Sequence, residues 1–161
     1  MGAARRNAGS PDVIELTVPS DARFLELVHS CTEQICRQAQ HFSPDEVYKI
    51  AWGVHEACVN VIEHAHRFEA SKPLRIQALL YPDHLEFRVY DVGPGFDMED
   101  VPEPDPEQIF ERGRGLFGMR QCMDVVEYRR ATASNCLRLV RRIECIESGV
   151  LNPPSAAAGR D

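Results

Sequence analysis

Several features that define common classes of protein are missing from this chain of 161 residues. Basic residues are not in excess: 18 Lys and Arg stand against 25 Asp and Glu, which gives a formal net charge of −7. Because nucleic-acid backbones are bound chiefly through clustered Lys and Arg, this charge argues against direct nucleic-acid binding. We expect a protein or small-molecule partner instead.

Long apolar runs are also missing. The longest apolar stretch, Ile50 to Ile62, is interrupted by His55, Glu56 and Asn60, whereas a membrane span needs about 18 to 20 predominantly apolar residues. No hydrophobic segment stands at the amino terminus, so no secretory signal is expected. The sequence thus predicts a cytoplasmic protein without membrane association.

The motifs of the commonest metal, redox and nucleotide sites are absent as well. No pair of the six cysteines has C-x-x-C spacing, so free thiols in a reducing cytosol are expected. His55-Glu56 begins the zinc-protease pattern H-E-x-x-H, but Val59 stands where the second histidine is required. No Gly-Lys-Ser/Thr follows a glycine-rich segment, which excludes a P-loop.

The hydrophobic pattern of the first half predicts a strand followed by two helices. Alternating side chains predict the strand over Val13–Val18, and Ser20 or Asp21 caps a helix that runs to about His41. Ser43-Pro44-Asp45-Glu46 combines an N-cap serine, a proline at the first helical position and a capping-box glutamate. A long helix should therefore run from Pro44 to about His66.

The second half predicts a hairpin, a loop, a helix and a second pair of strands. These elements are strands Leu74–Leu80 and His84–Tyr90, an acidic mobile loop Asp97–Glu111, a helix Leu116–Met123, and strands Val125–Arg130 and Cys136–Ile143. Together they predict an α+β fold: a two-layer sandwich of a mixed, mainly antiparallel sheet with helices on one face. We expect one domain over residues 12–146, with disordered tails at 1–11 and 147–161.

Three polar residues recur at helical spacing in the long helix. Glu56, Asn60 and His64 are placed at i, i+4 and i+8, so they share one stripe and can face a common cleft. A carboxylate can orient or deprotonate a nucleophile, and an amide oxygen is a hard ligand suited to Mg²⁺. A solvated polar face is the alternative interpretation of this stripe.

A second motif, Asp91-x-Gly93-x-Gly95, stands where a strand should end. The glycines let the backbone approach a flat ligand closely, and the carboxylate can accept a hydrogen bond from an exocyclic amine such as that of adenine. An ordinary turn has the same composition.

A third motif, Gly113-Arg114-Gly115-Leu116-Phe117-Gly118, leads a glycine-rich loop into a helix start. Free backbone N–H groups and the positive end of a helix dipole favour phosphate at such a place, and Arg112 and Arg114 can add positive charge. A flexible hinge before a helix remains the alternative.

The three motifs in this order resemble the N, G1 and G2 boxes of the GHKL ATPases. The resemblance rests on Glu56-Ala57-x-x-Asn60-x-x-x-His64-Ala65, Asp91-x-Gly93-x-Gly95-Phe96 and Gly113-x-Gly115-Leu116. The residue pattern of the first box is most similar to that of the bacterial anti-sigma-factor serine/threonine kinases. The similarity extends over roughly Val13 to Ile143, and no single box would be specific enough.

The resemblance implies a function and a role for each motif. ATP and Mg²⁺ would be the cofactors, with Asn60 on Mg²⁺, Asp91 on the adenine amino group and Glu56 as general base for a serine hydroxyl. The remaining residues of the implied ATP site are His64, Gly93, Gly95, Phe96, Arg112, Gly113, Arg114, Gly115, Leu116, Phe117 and Gly118. The implied partners are an anti-anti-sigma (STAS) protein and a sigma factor, exchanged by partner switching, and a homodimer is compatible with the family.

One position departs from the family. The final strand often begins with Gly-Thr, where the threonine helps to hold phosphate, and Asn135-Cys136 stands here. Because a thiol is a poor hydrogen-bond donor, we expect either weaker nucleotide binding or a pocket that is completed by other residues. The acidic segment Asp97–Glu111 would be the ATP lid, with its carboxylates towards solvent or a partner.

Three other functions remain open at this stage. The chain can be a regulatory module that binds ATP and acts by association alone, or a globular domain without a nucleotide. The catalytic domain of a sensor histidine kinase is disfavoured, since the segment before Val13 is too short for a helical phospho-acceptor domain. For His64 and His66, a structural role at the helix end is favoured over proton transfer.

Overall fold

The computed structural model describes residues 10–95 and 114–143, which form five strands and three α-helices. The strands are β1 (Asp12–Pro19), β2 (Pro73–Leu80), β3 (His84–Asp91), β4 (Val125–Arg129) and β5 (Asn135–Arg142). The helices are α1 (Leu25–Ala39), α2 (Pro44–Asn60) and α3 (Arg114–Cys122). Most of the predicted lid and tails therefore lies outside the described residues.

The described strands form one sheet in the order β1-β2-β3-β5-β4, and every pairing is antiparallel. Helix α2 packs between α1 and α3 and lies against β3 and β5. The predicted α+β sandwich is confirmed. None of the helices in residues 10–95 and 114–143 combines the length and apolarity that a membrane crossing requires.

The period-2 alternation of the central strands decides which residues face the helices. Along β3, Leu85, Phe87 and Val89 are fully buried in the core, and Asp91 follows them on the same face because successive side chains alternate. Leu137 and Leu139 continue this face on β5. The alternation that builds the core thus also directs a carboxylate inward at the end of β3.

Helix α2 begins as its sequence predicts and ends in an unexpected way. The Ser43 hydroxyl accepts a hydrogen bond from the Glu46 N–H at 3.3 Å, while the Glu46 carboxylate accepts from the Ser43 N–H at 2.9 Å. At its other end, α2 continues into a π-helical turn over Val61–Ala65, where the His66 N–H donates to the Val61 carbonyl at 2.7 Å. Arg67 and Phe68 then adopt left-handed φ angles of 52° and 60° and stop the helix.

The capping box at the start of α2 yields a test of how the site-bearing helix is stabilised. We expect Ser43→Ala to lower the free energy of unfolding by about 1 kcal/mol, because the first turn loses its side-chain acceptor. Urea denaturation measures the difference. The control is Ser30→Ala on the exposed side of α1, which should cause no loss; equal stability of Ser43→Ala and wild type would contradict the role of the cap.

Candidate functional site

A cleft of about 380 Å³ opens between α2, the end of β3 and the first turn of α3. Its walls are mostly apolar, with polar groups from Asn60, His64, Asp91 and Tyr128. The other lining residues are Ala57, Val61, Ala65, Pro94, Gly95, Gly115, Leu116, Met119 and Leu137. An apolar cleft of this size with a few convergent polar groups suits a small organic ligand.

Asp91 is the buried polar centre of this cleft, with only 3% of its surface exposed. Its Oδ1 accepts hydrogen bonds from the Gly93 N–H and from Asn135 Nδ2, both at 2.8 Å. Its Oδ2 accepts from the Tyr128 hydroxyl at 2.9 Å. These donors replace the hydration that a buried carboxylate loses, so the charge is tolerated at this depth.

The strand register explains how these donors reach Asp91. Asp91 pairs directly with Asn135 across β3 and β5, and Tyr128 pairs with Leu137 across β4 and β5. Both donors therefore stand on the face of the sheet that bears Asp91. Burial and the hydrogen bond to Asp91 raise the pKa of Tyr128, so its hydroxyl keeps the proton that it donates.

Gly115, in the first turn of α3, lies against two of the predicted site residues. A Cβ at this position would be 2.9 Å from Glu56 Oε2 and 3.6 Å from Asn60 Oδ1. The missing side chain leaves room for both polar groups beside the helix start. The structure thus brings Glu56 and Asn60 together at Gly115, although Glu56 itself is not among the residues that line the cleft.

The π-helical turn shapes the opposite wall. It places His64 and Ala65 on the cleft, and the turn after β3 approaches it so closely that a Cβ on Gly93 would lie 2.7 Å from Ala65 Cα. Two of the three predicted stripe residues, Asn60 and His64, therefore line the cleft. Gly93 is required by this contact between two backbones.

His66, which directly follows the π-helical turn, makes hydrogen bonds to two other segments of the chain. Its buried ring lies with Nδ1 2.9 Å from Ser20 Oγ, and its Nε2 accepts a hydrogen bond from the Val92 N–H at 3.4 Å. Burial lowers the pKa of His66, which favours the neutral ring that can accept at Nε2. His66 thereby joins the end of β1 to the turn after Asp91 and has a structural role.

The remaining glycine positions differ in what they contact. Gly95 lines the cleft with a left-handed φ of 73°, and the Arg130 side chain covers it and donates to the Pro94 carbonyl at 3.1 Å. Gly118 and Phe117 do not line the cleft. Gly118 instead packs on the ring of Trp52, which a Cβ would overlap at 2.2 Å, so this glycine serves the α2–α3 contact.

Cys136 lies on the other face of the sheet. Asn135 and Leu137, its neighbours on β5, both point to the cleft side, so the alternation of the strand directs Cys136 away from it. The charges that influence its thiol, foremost Arg88 and Glu86, belong to that outer face. The expectation that Cys136 weakens nucleotide binding therefore has no basis in direct contact.

Several predicted site residues cannot be located in the structure, while two residues that were not predicted belong to the site. Phe96, Arg112 and Gly113 lie outside the described residues, and for Arg114 only the backbone is described. Sequence reasoning missed Tyr128 and Asn135. For Asn135 a signal existed, because a polar residue precedes Leu137 and Leu139 at the same period-2 spacing.

The sequence of this chain is similar to those of known ATPase-domain proteins. The sequence profile of the histidine kinase-like ATPase domain matches residues 18–141. The chain is 31% identical over 125 residues to the serine-protein kinase RsbW of Halalkalibacterium halodurans, with 73% of this chain and 75% of that protein covered. It is 32% identical over 125 residues to RsbW of Listeria monocytogenes, with 72% and 78% covered.

A solved structure shares the fold. The RsbU and RsbW domains of a Mycobacterium tuberculosis protein superpose with a TM-score of 0.60 at 12% sequence identity, over 82% of this chain. This chain spans 32% of that longer one. At this identity the likeness extends to the fold alone.

The contact between Gly93 and Ala65 can be tested with a matched pair of glycine substitutions. Gly93→Ala should lower the free energy of unfolding by about 1 to 3 kcal/mol, because the new methyl group overlaps backbone atoms. Gly53→Ala is the control: its Cβ would lie 3.4 Å from Met123 Cγ, and alanine is favoured within a helix. Urea denaturation measures the free energy of unfolding of both variants. If Gly93→Ala and Gly53→Ala are equally stable, the close contact between Gly93 and Ala65 is refuted.

Proposed function

The chain belongs to the histidine kinase-like ATPase family, in the branch of the anti-sigma-factor kinases, and from this membership we propose that it is a serine/threonine protein kinase dependent on Mg-ATP. Its substrate is an anti-anti-sigma protein of the STAS type, and it regulates a sigma factor by partner switching. The observation that carries the proposal is the meeting of Asn60, Asp91 and the first turn of α3 in one cleft.

The adenine base is the part of ATP that the inner cleft accommodates best. The apolar walls suit a flat heteroaromatic ring, and the Asp91 carboxylate offers an acceptor for an exocyclic amine. Gly95 lines the cleft beside Asp91, and the absence of a side chain there leaves room for the base. The base therefore binds between α2 and the end of β3.

The triphosphate belongs at the outer end, where α3 begins. Gly115 and Leu116 line the cleft there, and the first turn of a helix presents unpaired N–H groups to an anion. The Asn60 amide lies beside Gly115 and would supply a hard oxygen ligand of the kind that Mg²⁺ prefers, with phosphate and water as the other ligands. The ion would neutralise phosphate charge during transfer.

Glu56 is placed to act on the attacking hydroxyl. Its carboxylate lies next to Gly115 on the same side as Asn60, hence near the proposed position of the γ-phosphate. As the serine oxygen bonds to the γ-phosphorus and the bond to ADP breaks, Glu56 orients the hydroxyl and takes its proton. Glu56 is half-exposed, so a protein substrate can bring its serine to this carboxylate.

The partners follow from the family and are consistent with the charge. Relatives named serine-protein kinase RsbW are similar over most of their length, and the net charge of −7 favours protein partners over nucleic acid. We propose a cytoplasmic kinase domain over residues 12–146 that forms a homodimer. Association without phosphotransfer is the alternative function.

The nucleotide proposal predicts a magnesium-dependent loss for Asn60→Ala. We expect affinity for ATP in the presence of Mg²⁺ to fall by at least about tenfold, since one metal ligand is removed. Isothermal titration calorimetry with and without EDTA should show that most of the loss disappears without the ion. Gln77→Ala, which removes an amide from the outer face of the sheet, is the control. A wild-type chain that binds no ATP would overturn the proposal.

The assignment of Glu56 predicts a separate defect in transfer. Glu56→Gln should lower the rate of serine phosphorylation by about 10²- to 10⁴-fold, because the amide cannot accept the proton, while ATP affinity changes little. Transfer of labelled phosphate to STAS proteins of the same organism measures this rate, with Glu63→Gln at an exposed position as control. An unaltered rate would refute the assigned base, and tight ATP binding by the wild type without any transfer would favour the alternative function.

A further inference from the structure

Tyr128 occupies a position that the proposed function does not explain. It stands on β4, an edge strand of the described sheet, and its side chain crosses the neighbouring β5 to reach Asp91 on β3. It also lines the cleft. A tyrosine that only filled the core would need no hydroxyl at this place, so the hydrogen bond to Asp91 requires a separate account.

The hydrogen bonds of Asp91 are distributed unevenly over its two oxygens. A carboxylate offers about four acceptor positions. Oδ1 uses two of them, for the Gly93 N–H and Asn135 Nδ2, whereas Oδ2 accepts only from Tyr128 among the described residues. With respect to residues 10–95 and 114–143, one acceptor position therefore remains on Oδ2 beside the Tyr128 hydroxyl, and both residues line the cleft.

This arrangement fixes the direction in which Asp91 can bind a ligand. The Gly93 N–H and Asn135 hold one oxygen, and the Tyr128 hydroxyl prevents the other from turning towards a different donor. Asn135 is itself held, since Nδ2 also donates to the Gly93 carbonyl at 3.0 Å. The carboxylate is thus oriented before any ligand arrives, which lowers the entropic cost of binding.

We propose that Tyr128 is a specificity-determining positioning residue, which orients Asp91 to select a purine with an amino group at C6 over one with a carbonyl oxygen. The selection rests on the proposed function, in which the base binds at Asp91. A 6-amino group donates to the free position on Oδ2. A 6-carbonyl oxygen faces an acceptor there and gains nothing from Asp91.

The test compares ATP with inosine triphosphate, which has a carbonyl oxygen at C6 and the same ribose and phosphates. Tyr128→Phe keeps the ring and removes the hydroxyl, so Asp91 loses its orientation. We expect ATP affinity to fall by about tenfold, a loss typical of one hydrogen bond to a charged group, while affinity for inosine triphosphate stays the same. Calorimetry of both nucleotides measures the change in selectivity.

Tyr90→Phe is the matched control. The Tyr90 hydroxyl also donates to a polar side chain, Gln77 Oε1 at 2.8 Å, but Gln77 lies on the outer face of the sheet. This variant should bind both nucleotides like the wild type. A second test variant, Asn135→Ala, removes a donor to the other oxygen of Asp91 and should reproduce the ATP-selective loss if Tyr128→Phe does not fold.

The possible outcomes separate this inference from the function on which it rests. Equal losses for both nucleotides in Tyr128→Phe would show that the hydroxyl only stabilises the fold, and an unchanged ratio of affinities would equally refute its role in selection. If the wild type binds neither nucleotide, the proposed function itself is wrong, and the inference about Tyr128 is wrong with it. If the wild type binds both equally well, nucleotide binding stands but selection through Asp91 is wrong.

Discussion

A buried carboxylate is destabilising unless donors replace its lost water, and the geometry of this cleft depends on how that condition is met at Asp91. The donors come from three places in the chain: the turn after β3, strand β4 and strand β5. Each must be in register for the charge to be tolerated. The same bonds that make the fold possible therefore fix the position of the acceptor that faces the ligand.

The opposite wall depends on a local change in helical geometry. If α2 continued as a regular helix, Glu56, Asn60 and His64 would remain on one stripe. The π-helical turn over Val61–Ala65 changes the phase after Asn60. Glu56 and Asn60 both belong to the regular part of α2 and stand beside Gly115. The turn that follows places His64 and Ala65 on the cleft, and Ala65 is the surface against which Gly93 packs.

The two faces of the sheet serve different purposes. The inner face carries the core and the cleft, whereas the outer face carries ion pairs such as Arg138 with Glu86 at 2.8 Å. Cys136 belongs to the outer face and Asn135 to the inner one. Cys136 stands where related kinases often have a threonine, which made it a candidate for contact with the nucleotide. The face of the sheet on which a residue lies decides whether such contact is possible, and Cys136 lies on the outer face.

The sequence by itself determined the local structure and the family. Capping residues, apolar periodicity and turn residues act within a few positions, so the start of α2 at Pro44 and the antiparallel hairpins were predictable. The three glycine- and carboxylate-containing motifs were specific in combination, and the ATPase family they resemble is confirmed. Glu56, Asn60 and Asp91 were singled out as candidates in this way, and the structure places Asn60 and Asp91 on one cleft.

Only the tertiary structure decided which side chains complete the site. The pairing of Asp91 with Asn135, and of Tyr128 with Leu137, follows from strand register between segments far apart in the chain. Local periodicity does not specify that register, because it depends on the packing of the whole sheet. For the same reason Gly118 looked like a nucleotide residue but packs on Trp52, a contact between two helices that no local pattern contains.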